Sequence, residues 1–263
     1  MKKAVSQTRR TGTNAAGHAP RGLLDLMRDR HSSRGPFDLG RPIPDRALWN
    51  ILEAARWAPT AHNMQNFEIV VVDDREVLER LGRIPSGLSS DFMKENYRQL
   101  SFSREEFLRR KKGVLAEMFP PSWITEEARE GRVPAEETRS HLWDLLHGGP
   151  VLLVVLYDCR ERAPASEHDA LGFISLGCVM ENMWLAAESL GLGFHIISAL
   201  SSNLAGARTE DEARRILGFP SHHRIAFSCR IGYPVRGPRS YLRVRREVEE
   251  FSHHNRYGEK AAE

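Results

Sequence analysis

Two polar clusters stand out in the first quarter of the chain. The first is Arg30-His31-Ser32-Ser33-Arg34, and the second is Ala58-Pro59-Thr60-Ala61-His62-Asn63-Met64-Gln65. An arginine offers a planar fork that stays charged and grips anions with two hydrogen bonds at once. Arg30 and Arg34 therefore suit an anionic group or the edge of a polar ring, and His31 and Ser32 add donors. Asn63 and Gln65 each carry donors and acceptors, Thr60 adds a hydroxyl, and Pro59 fixes the turn. A third cluster is Arg243-Val244-Arg245-Arg246. In an extended segment, residues two apart point the same way, so Arg243 and Arg245 form a plausible phosphate clamp. Each cluster alone has a plainer meaning: a helix end, a helix-to-strand loop, a solvated basic tail. Together they suit a flat anionic cofactor with a polar edge better than a metal or a catalytic triad.

The elements that must position these groups are partly legible. Leu23, Leu24, Leu26 and Met27 predict a short helix ending near Arg30. Pro36, Gly40, Pro42 and Pro44 then force an irregular link. From Asp45, the apolar residues Leu48, Ile51, Leu52 and Ala55 recur at helical spacing, and the helix must stop before Pro59. Phe67 to Val72 is short and β-branched, which predicts a buried strand, and a helix follows from Asp73-Asp74 to about Leu81. Val151 to Tyr157 predicts a central strand. Residues 169–190 are apolar on nearly every side, so that helix should be buried all round, in part against a second copy. Gly191 ends it, and Phe194 to Ile197 predicts another strand. Thr209 with Glu212 forms a capping-box pattern for a helix that ends at Leu217-Gly218. Arg224 to Gly232 predicts the last core strand.

At 263 residues the chain is long enough for one large core. The expected organisation is a mobile leader over 1–19, a single domain over 20–258 and a tail over 259–263. Within the domain, residues 85–148 are charged and interrupted by Pro120, Pro121 and Pro134, and form a helical insertion or lid. A net charge of +3 and the absence of a nucleic-acid fold signature leave no reason to expect nucleic acid as a partner. Cys159, Cys178 and Cys229 are odd in number, without zinc or disulfide spacing, and read as core residues in a reducing cytoplasm. Arg9-Arg10 is not followed by an apolar core, so no secretory signal is expected, nor an apolar run of membrane length.

In this order and spacing the clusters resemble the FMN-dependent nitroreductase family. Glu181-Asn182-Met183-Trp184 with Gly191-Leu192-Gly193, Leu217-Gly218-Phe219-Pro220, and Ile231-Gly232-Tyr233-Pro234 carry the resemblance through the second half. It implies an α/β (α+β) three-layer α-β-α sandwich with a mostly antiparallel central sheet and a C-terminal tail swapped between subunits of a homodimer. It also implies FMN contacts from Arg30, His31, Ser32 and Arg34, and from Pro59, Thr60, Ala61, Asn63 and Gln65, partly across the dimer. Ile197, Ser198 and Ala199 would lie near flavin N5, and Arg243 and Arg245 at the phosphate. The implied activity is NADPH or NADH oxidation coupled to reduction of a nitroaromatic, quinone or similar electron-poor molecule, by a ping-pong mechanism. No protein general acid is assigned. A biosynthetic dehydrogenase, a reductive dehalogenase, a flavin-degrading enzyme and a non-catalytic flavin-binding protein remain open. Asn66-Phe67 stands where the family has Pro-Trp, which is expected to loosen the loop, and His62 stands where a small residue is common.

Overall fold

The run Val151–Asp158 forms a strand with every residue buried, because its β-branched and leucine side chains have apolar layers on both faces. In chain order, the helices are α1 (Leu23–Asp29), α2 (Asp45–Arg56), α3 (Arg75–Gly82), α4 (Arg104–Arg110), α5 (Ala170–Ser189), α6 (Ala207–Leu217) and α7 (Val248–Phe251). The strands are β1 (Phe67–Val72), β2 (Ser101–Phe102), β3 (Val114–Leu115), β4 (Val151–Asp158), β5 (Gly193–Ile197) and β6 (His223–Gly232). The computed structural model describes residues 22–84, 101–115, 146, 148–201, 207–235 and 242–259. The expected leader and much of the expected insertion at 85–148 lie outside the described residues.

Strands β1, β4, β6 and β5 form a sheet in that order, with every pair antiparallel. Side chains alternate across it. Val151, Leu153, Val155 and Tyr157 pack with Ile51 and Ala55 of α2 and with Val179 and Met183 of α5. Leu152, Val154 and Leu156 face the other way, toward Leu78 and Leu81 of α3 and Ala213 of α6. Two helical layers thus cover one sheet, as expected for a three-layer sandwich. Each fully buried leucine or valine contributes about 1.5–3 kcal/mol.

Several elements differ from expectation for identifiable reasons. β1 is half-buried rather than buried, because it is an edge strand of this sheet. The capping box fails: α6 already begins at Ala207, so Thr209 lies inside the first turn, where it is buried. Asp74, not Asp73, caps α3, accepting from the backbone N–H groups of Glu76 and Val77. Of the cysteines, only Cys229 is a core residue; Cys178 is half-buried and Cys159 exposed.

α5 was expected to be covered in part by a second copy, and one copy leaves part of it exposed. Val179, Met183 and Ala187 are fully buried, but Phe173 is 54% and Ile174 62% exposed. A single copy therefore covers only part of the helix. Trp49 of α2 and Trp57, just past its end, are exposed as well. Counted from Glu167 to Ser189, this helix also has the length and hydropathy of a membrane span, which the sequence reading did not anticipate. Its packing against α2 and the sheet accounts for much of that hydropathy.

Candidate functional site

The first cluster is held at one end of the sheet. Ser32 bridges to Phe194 on β5, and the Ser33 N–H donates to the Phe194 carbonyl at 2.9 Å. This approach needs Gly193. A Cβ there would stand 2.6 Å from a Phe37 ring carbon and 2.8 Å from Ser33 Cβ and Oγ, closer than such atoms pack. Ser33 is the buried serine of the pair, and its hydroxyl has no hydrogen-bond partner among the described residues. Ser32 is half-buried and Arg34 exposed. Arg30 Nε donates to Glu181 Oε1 at 2.7 Å, and its guanidinium lies 4.6 Å over the Trp184 ring. The Trp184 indole donates to the His31 carbonyl at 3.3 Å. α5 is thus the platform on which Arg30 and His31 rest.

Arg230, which the sequence reading did not single out, anchors the same loop from β6. Only 3% exposed, it donates through Nη2 to the carbonyls of Arg34 (2.9 Å) and Gly35 (2.8 Å), and through Nε to His195 Nδ1 at 3.2 Å. Burial pushes its pKa down to about 10, so it remains a cation at neutral pH. A charge inside the apolar run Phe227-Ser228-Cys229-Arg230-Ile231 was the available signal, because buried arginines need partners.

The second cluster lies at the opposite end. Phe67, just after the turn, pairs with Tyr157 of β4. Phe194, beside Ser32, is level with Ile231 and hence with Val151 of β4. Six strand residues separate these rows, about 20 Å at the usual strand rise. The rows beside Ser32 and beside the turn thus lie at opposite ends of the sheet, while on α5 Arg30 reaches Glu181 and the turn reaches Ser175, six residues away along the helix. The turn is firmly fastened. The Ala61 N–H donates to Ser175 Oγ of α5 at 2.9 Å, and the Gln65 N–H to Thr60 Oγ1 at 3.2 Å. Asn66 is buried, and its amide donates to the Glu161 carbonyl. Asn66 therefore ties down the loop that it was expected to loosen. His62, Asn63 and Gln65 are exposed and adopt left-handed backbone conformations, with φ of 52°, 54° and 48°. Each costs on the order of 1 kcal/mol, and such strain collects at functional sites.

The other predicted residues fall as follows. Pro59 is exposed, and Thr60 and Ala61 are half-buried. Ile197 ends β5 with its carbonyl accepting from Ser228 Oγ at 2.6 Å; Ser198 is exposed and Ala199 half-buried. In the tail, Arg243 and Arg245 are exposed while Leu242 and Val244 are half-buried. Arg243 donates to the carbonyls of Arg28 and Asp29, which joins the tail to the end of α1. Arg245 donates to its neighbour Val244. Both line a cleft of 640 Å³ shared with Phe107, Lys111, Lys112 and Arg246, a strongly basic surface although Glu247 and Glu250 pair with Lys111.

The model of the nitroreductase family matches residues 27–233, which include both clusters, the helix platform and the whole four-stranded sheet. The chain belongs to the nitroreductase family. A nitrobenzene nitroreductase of Ectopseudomonas oleovorans is 26% identical over 239 residues, covering 87% of this chain and 94% of its own. An NADPH-dependent oxidoreductase of Staphylococcus haemolyticus is 23% identical over 241 residues, covering 92% and 76%. Among solved structures, an FMN-dependent nitroreductase of Clostridium difficile aligns with a TM-score of 0.55 at 17% identity, covering 89% of this chain and 99% of that one. A nitroreductase with bound FMN from Bacteroides fragilis aligns at 0.53 and 20% identity, covering 87% and 96%. These likenesses confirm the sandwich fold of a nitroreductase-family chain.

Proposed function

We propose that this nitroreductase-family protein is a homodimeric FMN oxidoreductase that takes electrons from NADPH or NADH and passes them to nitroaromatic, quinone or similar electron-poor molecules by a ping-pong route. The observation that carries the reading is the donor set around the end of α1. Arg30, His31, Ser32 and Arg34 follow it directly in the chain, Arg243 is tied to the same helix end, and a basic cleft begins beside it. Guanidinium, imidazole and hydroxyl donors are the chemistry that a phosphate and an electron-rich ring edge require. The terminal nitrogens of Arg30 make no hydrogen bond with any described residue, while Glu181 and Trp184 fix its orientation. That leaves its terminal N–H donors available to a ligand, while Glu181 balances its charge.

FMN, when bound, supplies hydride acceptance and donation; the protein supplies placement and electrostatics. In this reading Arg30 stabilises negative charge on the ring, and Arg243 and Arg245 with Ser32 and Arg34 hold the phosphate. The pre-strained turn Pro59-Thr60-Ala61 with Asn63 and Gln65 presents amide groups to the ring edge from the other subunit. The backbone of Ile197, Ser198 and Ala199 lines the face where the nicotinamide and the acceptor take turns. The separation of the two clusters within one copy supports a site completed by the second. The exposed apolar face of α5 supports the same dimer. The proposal includes the single domain over 20–258, the exchanged tail and a cytoplasmic setting, which its three free thiols favour.

An absorbance spectrum tests the reading directly. Flavin bands that bleach under anaerobic NADPH or NADH are the expected result. A colourless protein that also refuses added FMN would overturn it, and bound flavin that neither donor bleaches would remove the nicotinamide half of the proposal.

A further inference from the structure

The end of the sheet that carries the turn also gathers a group with no part in flavin chemistry. Asp158 is the last residue of β4 and lies opposite His223, the first residue of β6. His222 precedes it, held by the Cys159 N–H donating to the His222 carbonyl at 3.0 Å. One ligand atom from each of Asp158, His222 and His223 lies within 4.8 Å of the other two. The imidazole rings are 4.5 Å apart between centroids, and His222 Nε2 is 3.9 Å from Asp158 Oδ2. His223 is 7% exposed, yet its Nδ1 is buried without a hydrogen-bond partner among the described residues. A buried ring nitrogen left in this way is costly unless a donor or an ion meets it.

We propose that Asp158, His222 and His223 bind one divalent transition ion of the zinc class, which staples the start of β6 to the end of β4. Two imidazoles and a carboxylate are ligands for zinc and its neighbours, whereas magnesium and calcium take oxygen almost alone. Three protein ligands leave the fourth position to water. Ligand atoms about 2.0–2.2 Å from zinc stand closer together than 4.8 Å. A small rotation of the half-exposed His222 ring closes the gap. Arg160 does not block the site. Its Nε and backbone N–H engage Oδ1, and its Nη2 engages Oδ2 at 2.8 Å, so Oδ2 retains a lone pair. The Asp158 N–H donates to the Asn66 carbonyl at 3.1 Å, so the staple also braces the foot of the Thr60–Gln65 turn.

The test is a zinc titration of chelator-treated full-length protein against a chromophoric competitor, on the parent, H222Q and H223Q, each checked for native circular dichroism. The parent is expected to bind one Zn2+ per chain at least tenfold more tightly than either variant. Zinc, but not Mg2+, is expected to raise its melting temperature. Parent-like zinc binding by H222Q would overturn the proposal, as would a parent that binds zinc no better than an H222Q/H223Q double variant. If H223Q does not fold, H222Q alone decides, because His222 sits at the surface. The outcome is independent of flavin binding.

Discussion

Replacing Phe173 and Ile174 together by aspartate yields a folded, monomeric and colourless protein. Both side chains are more than half exposed in one copy, so their loss takes little from the core of that copy beyond the Phe173 ring contact with Tyr157. In a dimer, each buried apolar side chain contributes about 1.5–3 kcal/mol, and each introduced carboxylate must be desolvated as well. Two substitutions per subunit therefore weaken association by about a thousandfold or more. Flavin is lost with the partner, because a single copy holds Ser32 and the Thr60–Gln65 turn at opposite ends of its sheet. Sedimentation and the visible spectrum check both consequences. A monomer that still binds FMN at parental strength would show that one copy contains the whole site.

Replacing Arg230 by leucine unfastens the first cluster from within. The substitution removes donors from the Arg34 and Gly35 carbonyls and from His195 Nδ1, and takes away a cation 4.9 Å from the Phe37 ring. Losing three hydrogen bonds from a buried cation is expected to cost about 3 kcal/mol or more. For a chain of this length that lowers the melting temperature by roughly 10 °C. Flavin affinity falls too, since Ser32 and Arg34 ride on the loop. Lysine does not rescue the variant, because a point charge cannot span two carbonyls and a ring nitrogen. The sign of the pH dependence follows from the lowered pKa. Between about pH 10 and the ordinary arginine value, the unfolded chain holds the extra proton, so this group adds stability as pH rises there. At neutral pH it contributes no slope. Calorimetry on R230L and R230K measures the loss, and a parental melting temperature in R230L would remove Arg230 from the account.

The parts of this fold that were legible in the sequence are those that local chemistry dictates. Val151–Asp158 is β-branched and apolar on both faces, and only a central strand can use such a segment. The helix over residues 45–56 was legible from its spacing and from Pro59. The site residues were legible as types, since arginine, serine and amide groups at a helix end and a turn have few other joint uses. What could not be read was anything set by pairing register between distant segments. That Phe194 lies level with Val151 while Phe67 lies level with Tyr157 depends on strand order, which no local pattern carries. The role of Asn66 was misjudged for the same reason: its partner, Glu161, is ninety-five residues away. The α5 surface was legible only as a total. Its composition fixes how much apolar area must be covered, but not how much of it one copy covers.

The central claim is that each flavin site takes Arg30 from one subunit and the Asn63–Gln65 turn from the other. Its most direct test is a heterodimer of two crippled chains, R30A and N63A/Q65A, co-expressed with different tags and isolated with both. Each homodimer is expected to bind FMN at least tenfold more weakly than the parent. In the heterodimer one site collects both lesions and the other neither, so about half of the parental flavin should return. A heterodimer as empty as the two homodimers would mean that both clusters act within a single chain, and the composite site would be wrong.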